Sequence, residues 1–249
     1  MINYLKSENY RLLNKKNLYI TSLICISLIA TAAFVLYYFQ QTDSTFPYGT
    51  SKYFYSNAIS GGLMIIIIGL IFNLALTGND TSLMKQSISF GISRNVIFWS
   101  KLILTLSYFL LFCIIAIIFM IALGENVLAS HSESVRNVQI ASVNMIPIVL
   151  SGFSLIHTMK MLKIGEVYIF ITVLFVYGLS GNLLRVLFRP IAGLNELYKY
   201  SPNTVLNENL TMFLDDSAQL GFEYWVIGIT ISGVALLIGA KGFAKRVID

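Results

Sequence analysis

His131 and His157 are the only histidines in this chain, and Cys25 and Cys113 the only cysteines. No His-Glu-x-x-His or Cys-x-x-Cys spacing occurs, so a bound metal is not expected. His131 falls in a polar loop and reads as a solvated residue. His157 lies near one end of an apolar run and reads as a hydrogen-bond partner for a neighbouring helix. Both cysteines sit inside apolar runs and read as small buried side chains rather than a disulfide. No Gly-x-x-x-x-Gly-Lys-Ser/Thr loop is present, so the chain cannot by itself cradle the phosphates of a nucleotide. None of its 12 acidic residues falls in the middle of an apolar run. A charge there costs about 3 kcal/mol on insertion scales, and an ion-coupled carrier normally keeps one on its path.

The elements that would position any chemistry are themselves apolar. The 249 residues are 56% hydrophobic and 12% charged, about half the charge a soluble domain needs to cover its surface. Apolar runs of about 18 residues or more recur, each long enough to cross a hydrocarbon core of about 30 Å as a helix. An all-α integral membrane protein with six spans is expected, as one transmembrane domain over 1–249. The spans are placed at 17–39, 56–76, 96–123, 139–159, 165–184 and 224–240. Residues 1–16 read as a helix lying on the membrane surface, with Ile2, Leu5, Leu12 and Leu13 on one side and Glu8, Arg11 and Lys15 on the other. Lys15-Lys16 before Ala30-Thr31-Ala32 resembles a signal peptide, but the apolar run continues through Val35 and Phe39, so an uncleaved span is expected. Pro147 predicts a kink in the fourth span. Pro190 and Pro202 divide the segment 185–222, which predicts short helices dipping into the membrane surface.

The chain is organised around the polar stretch 79–95 between the second and third spans. Asp80 or Thr81 can cap a short helix there, and Gly91 can end it in the left-handed conformation. Lys85 and Lys101 add positive charge. A stiff elbow of this kind is a handle by which a soluble partner could move the membrane part.

Charge distribution sets the orientation. Lys6, Arg11, Lys15, Lys16, Lys85, Arg94, Lys101, Lys160, Lys163, Lys241, Lys245 and Arg246 fall on the elbow side, which leaves Lys52, Arg136, Arg185, Arg189 and Lys199 of the 17 basic residues on the other. Of the acidic residues only Glu8, Asp80, Glu166 and Asp249 share the elbow side. This bias predicts that the elbow and both termini are cytosolic.

Lys85, Gly91-Ile92-Ser93-Arg94 and Ser100-Lys101-Leu102 resemble a pattern common in permease subunits of ABC-2 type ABC transporters. Those chains read Gly-Thr-(Ile/Leu)-Lys, then Gly-Ile-Ser-Arg, then an aromatic-rich step to Ser-Lys-Leu. Here Ser82-Leu83 stand where Gly-Thr is usual, and Asn79-Asp80 near the usual Glu. The resemblance is to the small bacterial permeases for bacitracin resistance, lantibiotic immunity and export of phenol-soluble modulins. It covers about 25 residues, supported by the layout of spans and the Tyr200-Ser201-Pro202 step.

That resemblance implies an ABC-2, type V exporter-like fold in a bacterial cell membrane. It implies a half-transporter of two permeases, as a homodimer or with a sister chain, and two separate ATPase subunits that carry ATP and Mg. This chain itself would bind no cofactor, metal or nucleic acid. Asp80, Ser82, Leu83, Met84, Lys85, Ile88, Gly91, Ser93 and Arg94 would form the coupling helix seated on the ATPase. Ile2, Leu5 and Leu12 would belong to the connecting helix. Ser27, Thr31, Asn73, Ser180 and Arg185 are candidates for a cargo path, although Ser27, Thr31, Asn73 and Ser180 also suit close helix packing. Arg185 and Arg189 share a helical face and either snorkel to lipid headgroups or line an exit. The cargo would be an amphipathic or antimicrobial peptide. A rival reading is an ion-coupled carrier or passive channel, for which His157 is the one titrating candidate inside a span. An integral membrane enzyme is a third, without a clustered acid, base and nucleophile to support it.

Overall fold

The structure is a computed structural model describing residues 2–43, 45–78, 80–131, 133–191 and 193–245, with only the backbone of Thr81. Asn79, Arg246 and Asp249, which entered the sequence argument, lie outside the described residues. The described chain is helical throughout, its only β-type pairing being an isolated bridge between Thr50 and Ala129. Helices α1 (Ile2–Leu13), α2 (Lys16–Thr42), α3 (Ser51–Ser60), α4 (Gly62–Thr77) and α5 (Thr81–Ser89) come first. They are followed by α6 (Arg94–Val127), α7 (Ser134–Met161), α8 (Glu166–Val173), α9 (Ser180–Phe188), α10 (Pro202–Leu214) and α11 (Phe222–Lys245). A π-helical turn, Leu174–Leu179, joins α8 to α9, so Glu166–Phe188 runs as one rod.

Five of these helices are long and apolar enough to cross a membrane: α2, α6, α7, the Glu166–Phe188 rod and α11. The protein is an all-α, multi-pass membrane protein. In place of a single straight second span, α3 and α4 meet at Gly61 with a bend of 61°. Gly61 leaves the helical region there, at φ −78° and ψ 18°. The start of α3 lies beside Ala129, whose carbonyl accepts from the Ser51 amide at 2.9 Å. At the end of α4, the Leu76 carbonyl accepts from Lys15.

The core sits around α7. In its most apolar 18 residues 67% are buried, against 11% to 22% in the other four long helices. Helix α11 packs on it most closely. A Cβ on Gly228 would come within 2.4 Å of the Pro147 carbonyl oxygen, and one on Gly239 within 2.6 Å of Thr158 Oγ1. The Thr158 hydroxyl donates to the Ala235 carbonyl at 3.1 Å. Small residues thus let the two backbones approach, as membrane helices require. Pro147 lies inside α7, which runs without a break through it.

Between α9 and α11 the chain forms a 3₁₀ turn, Leu197–Tyr200, and then α10. Ser201 caps α10 by accepting from the Thr204 amide, and Pro202 stands at its first position, where a missing amide proton costs nothing. Helix α10 is bound to α7 by amides. Asn209 Oδ1 accepts from Asn144 at 3.0 Å, and Asn209 Nδ2 donates to the Ala141 carbonyl at 3.0 Å. The Asn144 side chain also donates to the Gln219 carbonyl and accepts from the Gly221 amide.

Candidate functional site: a buried ionic clamp behind the elbow

The elbow is helix α5 with its exit into α6. Gly91 ends it at φ +83°, a conformation open to glycine without Cβ strain. The Ile92 amide reaches the Ser87 carbonyl and the Gly91 amide the Ile88 carbonyl, the double closure of a Schellman turn. Ser93 then caps α6 by accepting from the Val96 amide. Gly91 therefore plays the part its position in the sequence predicts.

Asp80 does not. It stands at the N-cap position of α5, yet its side chain makes no capping bond. Its oxygens are taken by stronger partners. Arg11 Nη1 and Nη2 donate to Oδ1 and Oδ2 at 2.8 and 2.6 Å, and Lys101 Nζ to Oδ2 at 2.8 Å. These bonds join two ionised partners, one of them a bidentate guanidinium, and hold the carboxylate away from the cap. Lys15 Nζ stands 3.6 Å from Oδ1. Glu8 completes the group, accepting from Arg11 Nε and Nη2 at 2.9 and 2.6 Å and from the Tyr4 hydroxyl at 2.9 Å. Lys101 lies 3.5 Å from its second oxygen.

Asp80, Glu8 and Lys101 are all buried, with Lys101 3% exposed. Burial by itself would raise the Asp80 carboxyl, but the Arg11 hydrogen bonds and the Lys101 charge hold it below the ordinary carboxylate range. Glu8 is lowered in the same way: burial opposes the charge, and Lys101 and Arg11 outweigh it. Lys15 is the marginal member. Burial lowers its pKa by more than Asp80 at 3.6 Å raises it, and its close bond is the one to the Leu76 carbonyl.

Three separate elements are joined by this clamp: the N-terminal helix, the loop entering the elbow, and the first turns of α6. The helix Ile2–Leu13 exists as expected, but the face carrying Glu8, Arg11 and Lys15 turns toward the protein, with Leu12 buried beside it. Ile2 is 70% exposed, Leu5 half-buried. Hydrophobic periodicity could not show this orientation, because the partners that neutralise the charged face lie 69 and about 90 residues further along. Tyr108 adds a second tie from α6, donating to Asn9 Oδ1 at 2.6 Å.

The elbow itself has two faces. Met84, Ile88 and Ile92 pack inward on a small apolar cluster of Ile97, Phe98, Met161 and Phe243. Ser82, Leu83, Lys85, Gln86, Ser89, Phe90, Gly91 and Ser93 face outward. Two large apolar side chains are among them, Leu83 at 40% and Phe90 at 77% exposure. Arg94 is half-buried and donates to the Ala244 carbonyl at the end of α11.

The cargo-path candidates are not brought together. Ser27 and Thr31 are exposed on α2 and donate to carbonyls of their own helix. Asn73 is fully buried with neither polar atom partnered, and Ser180 Oγ is buried and unpartnered beside the π-helical turn. Arg185 is exposed, its guanidinium 5.6 Å from the Tyr198 ring centre. None of the five lines an apolar cavity of about 320 Å³ between α2, α3, α4, α6 and α7. Both free cysteines, Cys25 and Cys113, do line it. His157 Nε2 lies 3.2 Å from the Phe98 carbonyl of α6, the neighbouring-helix bond its position predicts. Among the described residues, no three His, Cys, Asp or Glu side chains gather to hold a metal.

Sequence reasoning treated Glu8, Arg11, Lys15 and Lys101 as interfacial or topological charge and missed that they form one site with Asp80. No match to this chain exists among family models, curated proteins or solved structures.

Proposed function

We propose that this chain is the membrane-spanning permease subunit of an ATP-driven ABC-2 type exporter in a bacterial cell membrane. It works as a pair of permeases with separate ATPase subunits that bind ATP and Mg, and its cargo is an amphipathic or antimicrobial peptide. The bent α3–α4 pair counts as a sixth crossing in this reading, since its two ends meet opposite ends of the bundle, at Ala129 and at Lys15. The elbow and both termini are cytosolic.

The observation that carries the reading is the two-faced elbow. Its inner face is fastened to α1 and α6 by buried ions and to α6, α7 and α11 by apolar contacts. Its outer face offers Leu83 and Phe90 beside Lys85, a docking surface for a soluble motor. Motion of a docked ATPase passes through the clamp to the starts of α2 and α6, biasing the helices between two arrangements.

The test is reconstitution. The purified chain hydrolyses no ATP alone and acquires ATP-dependent peptide transport with its ATPase. Phe90→Glu and Leu83→Glu abolish that coupling while leaving thermal unfolding unchanged. Peptide transport at full rate in vesicles without nucleotide would instead place the chain among passive or ion-coupled carriers.

A further inference from the structure

Behind α2 lies the apolar cavity of about 320 Å³ walled by α2, α3, α4, α6 and α7. The 61° bend at Gly61 makes room for it, since α3 and α4 leave one straight line there, and Gly61 itself stands in the wall. Phe109, Met120, Met145 and Val149 form the inner side and are buried. Among the described residues, no charged side chain lines it. Apart from the two cysteines, its polar side chains are Asn57 and Ser142. The Asn57 amide is turned back on the Tyr53 carbonyl of its own helix, at 2.9 Å. Nothing here converges on a polar ligand. An apolar cavity of about 150 Å³ already takes up benzene, and this one is about twice as large.

The mouth decides what can enter. Leu28 on α2, Met64 on α4 and Ile146 on α7 line the cavity and are also exposed, at 64%, 62% and 39%. Leu28 and Ile146 stand near the middle of two helices long enough to cross the membrane. That is the depth of the hydrocarbon core, where lipid tails are the surrounding solvent. One turn of a peptide helix, about 5.4 Å long and about 10 Å across, fills about 400 Å³, more than the cavity holds. A single file of methylenes is slender enough. Hydrophobicity does not drive its entry, because lipid tails are as apolar as leucine. The gain is the dispersion contact that wall atoms forfeit across a void.

We propose that this cavity binds the acyl tail of a bilayer lipid, inserted sideways between α2, α4 and α7. The tail supplies packing between α2 and the rest of the bundle that the side chains leave undone. The site needs no ATPase and no cargo, so it stands or falls apart from the transport reading.

The test uses the full chain in detergent-free vesicles of phosphatidylcholine whose acyl chain carries a diazirine near its methyl end. After irradiation, adducts are located by mass spectrometry of the digested chain. Adducts are expected on buried Phe109, Met120 and Met145 as well as on the exposed Ile229 and Leu237 of α11. Ala58 and Ala116 line the cavity, and Ala116→Phe or Ala58→Leu fills it. Each should cut the buried adducts about tenfold and leave those on Ile229 and Leu237 unchanged, which also shows that the variant has kept its fold. Ala58→Leu adds the smaller volume and carries the test where Ala116→Phe does not fold. Ala32, exposed on α2 and away from the cavity, is the control, and Ala32→Phe keeps every adduct. Adducts confined to Ile229, Leu237 and other exposed residues overturn the proposal. So do buried adducts that persist in a folded filled variant. A disulfide between two copies carrying Leu28→Cys, with Cys25→Ala and Cys113→Ala, also overturns it by placing a second copy over the mouth.

Discussion

The elbow end of the bundle is fastened by ions, the opposite end by neutral amides. At the elbow, Asp80 and Glu8 share Arg11 and Lys101 in a buried cluster. At the other end, Asn144 and Asn209 lock α10 and the start of α11 to α7 through four hydrogen bonds. Among the described residues the ion pairs found there, Lys52 with Asp216 and Lys199 with Glu196, are partly or largely exposed. An amide lattice offers no proton or charge by which it can be released. A buried ionic cluster depends on every member being present and charged, because an unpaired ion there has lost its water. In the proposed transport reading the elbow end is therefore the one that responds, and the α10 end the one that holds still.

The largest effect that would break this contrast comes from removing Asp80. Asp80→Ala leaves Arg11 and Lys101 facing each other with Glu8 alone to neutralise them. Removing one partner of a buried pair costs about 3–5 kcal/mol, read as a fall in unfolding free energy. Hydrogen exchange should rise first across 81–94 and α1. The matched change at the other end, Asn209→Ala, strands one donor of Asn144 and removes the second bond to the Ala141 carbonyl, at about 1–3 kcal/mol, with exchange rising in α10 and none at the elbow. Equal costs, or elbow exchange that ignores Asp80, would erase the distinction.

Much of the frame was legible because it follows from composition and punctuation. The five long helices announce themselves as apolar runs, Gly91 as the end of α5, and Pro202 as a break that divides the segment before α11 into short helices. The break at Gly61 was not legible, since glycine is common in membrane helices. Nor was the clamp. Glu8 and Arg11 look like the wet side of an amphipathic helix until Asp80, 69 residues away, is folded against them. Charge pattern along a chain reports local faces; it cannot report which distant charge will neutralise one.

Acid should separate the two ends by a smaller amount. Asp80 and Glu8 have folded pKa values held below the ordinary values of about 3.9 and 4.3. A depressed carboxyl stabilises the fold above its unfolded pKa, and that contribution is lost as pH falls through the folded value. Stability at the elbow is thus level near neutrality and declines once the pH passes below about 4. Asp216 is also lowered, chiefly by its bond to Lys52, but solvent screens that pair and its loss weighs little. Exchange measured from pH 6 to pH 3 should show the elbow opening while the α10 amides stay protected. Asp80→Asn should already be open at pH 6 and flatten the profile.

The smallest effect isolates backbone from charge. Gly91 in the elbow and Gly193 before α10 adopt nearly the same conformation, φ +83° and +85°, and a Cβ on either meets nothing within 4 Å. Alanine at either position therefore brings left-handed strain alone, about 1 kcal/mol, measured as matching losses of unfolding free energy. Their consequences for transport should differ. Gly91 closes the turn that sets the angle between α5 and α6, so under the proposed function Gly91→Ala shifts the outer face of the elbow relative to the clamp and lowers ATPase coupling. Gly193 lies in an exposed turn at the end held by amides, and Gly193→Ala leaves that activity at the wild-type level. Equal thermodynamic cost with unequal loss of coupling is what a responsive end and a fixed end require of two otherwise equivalent glycines.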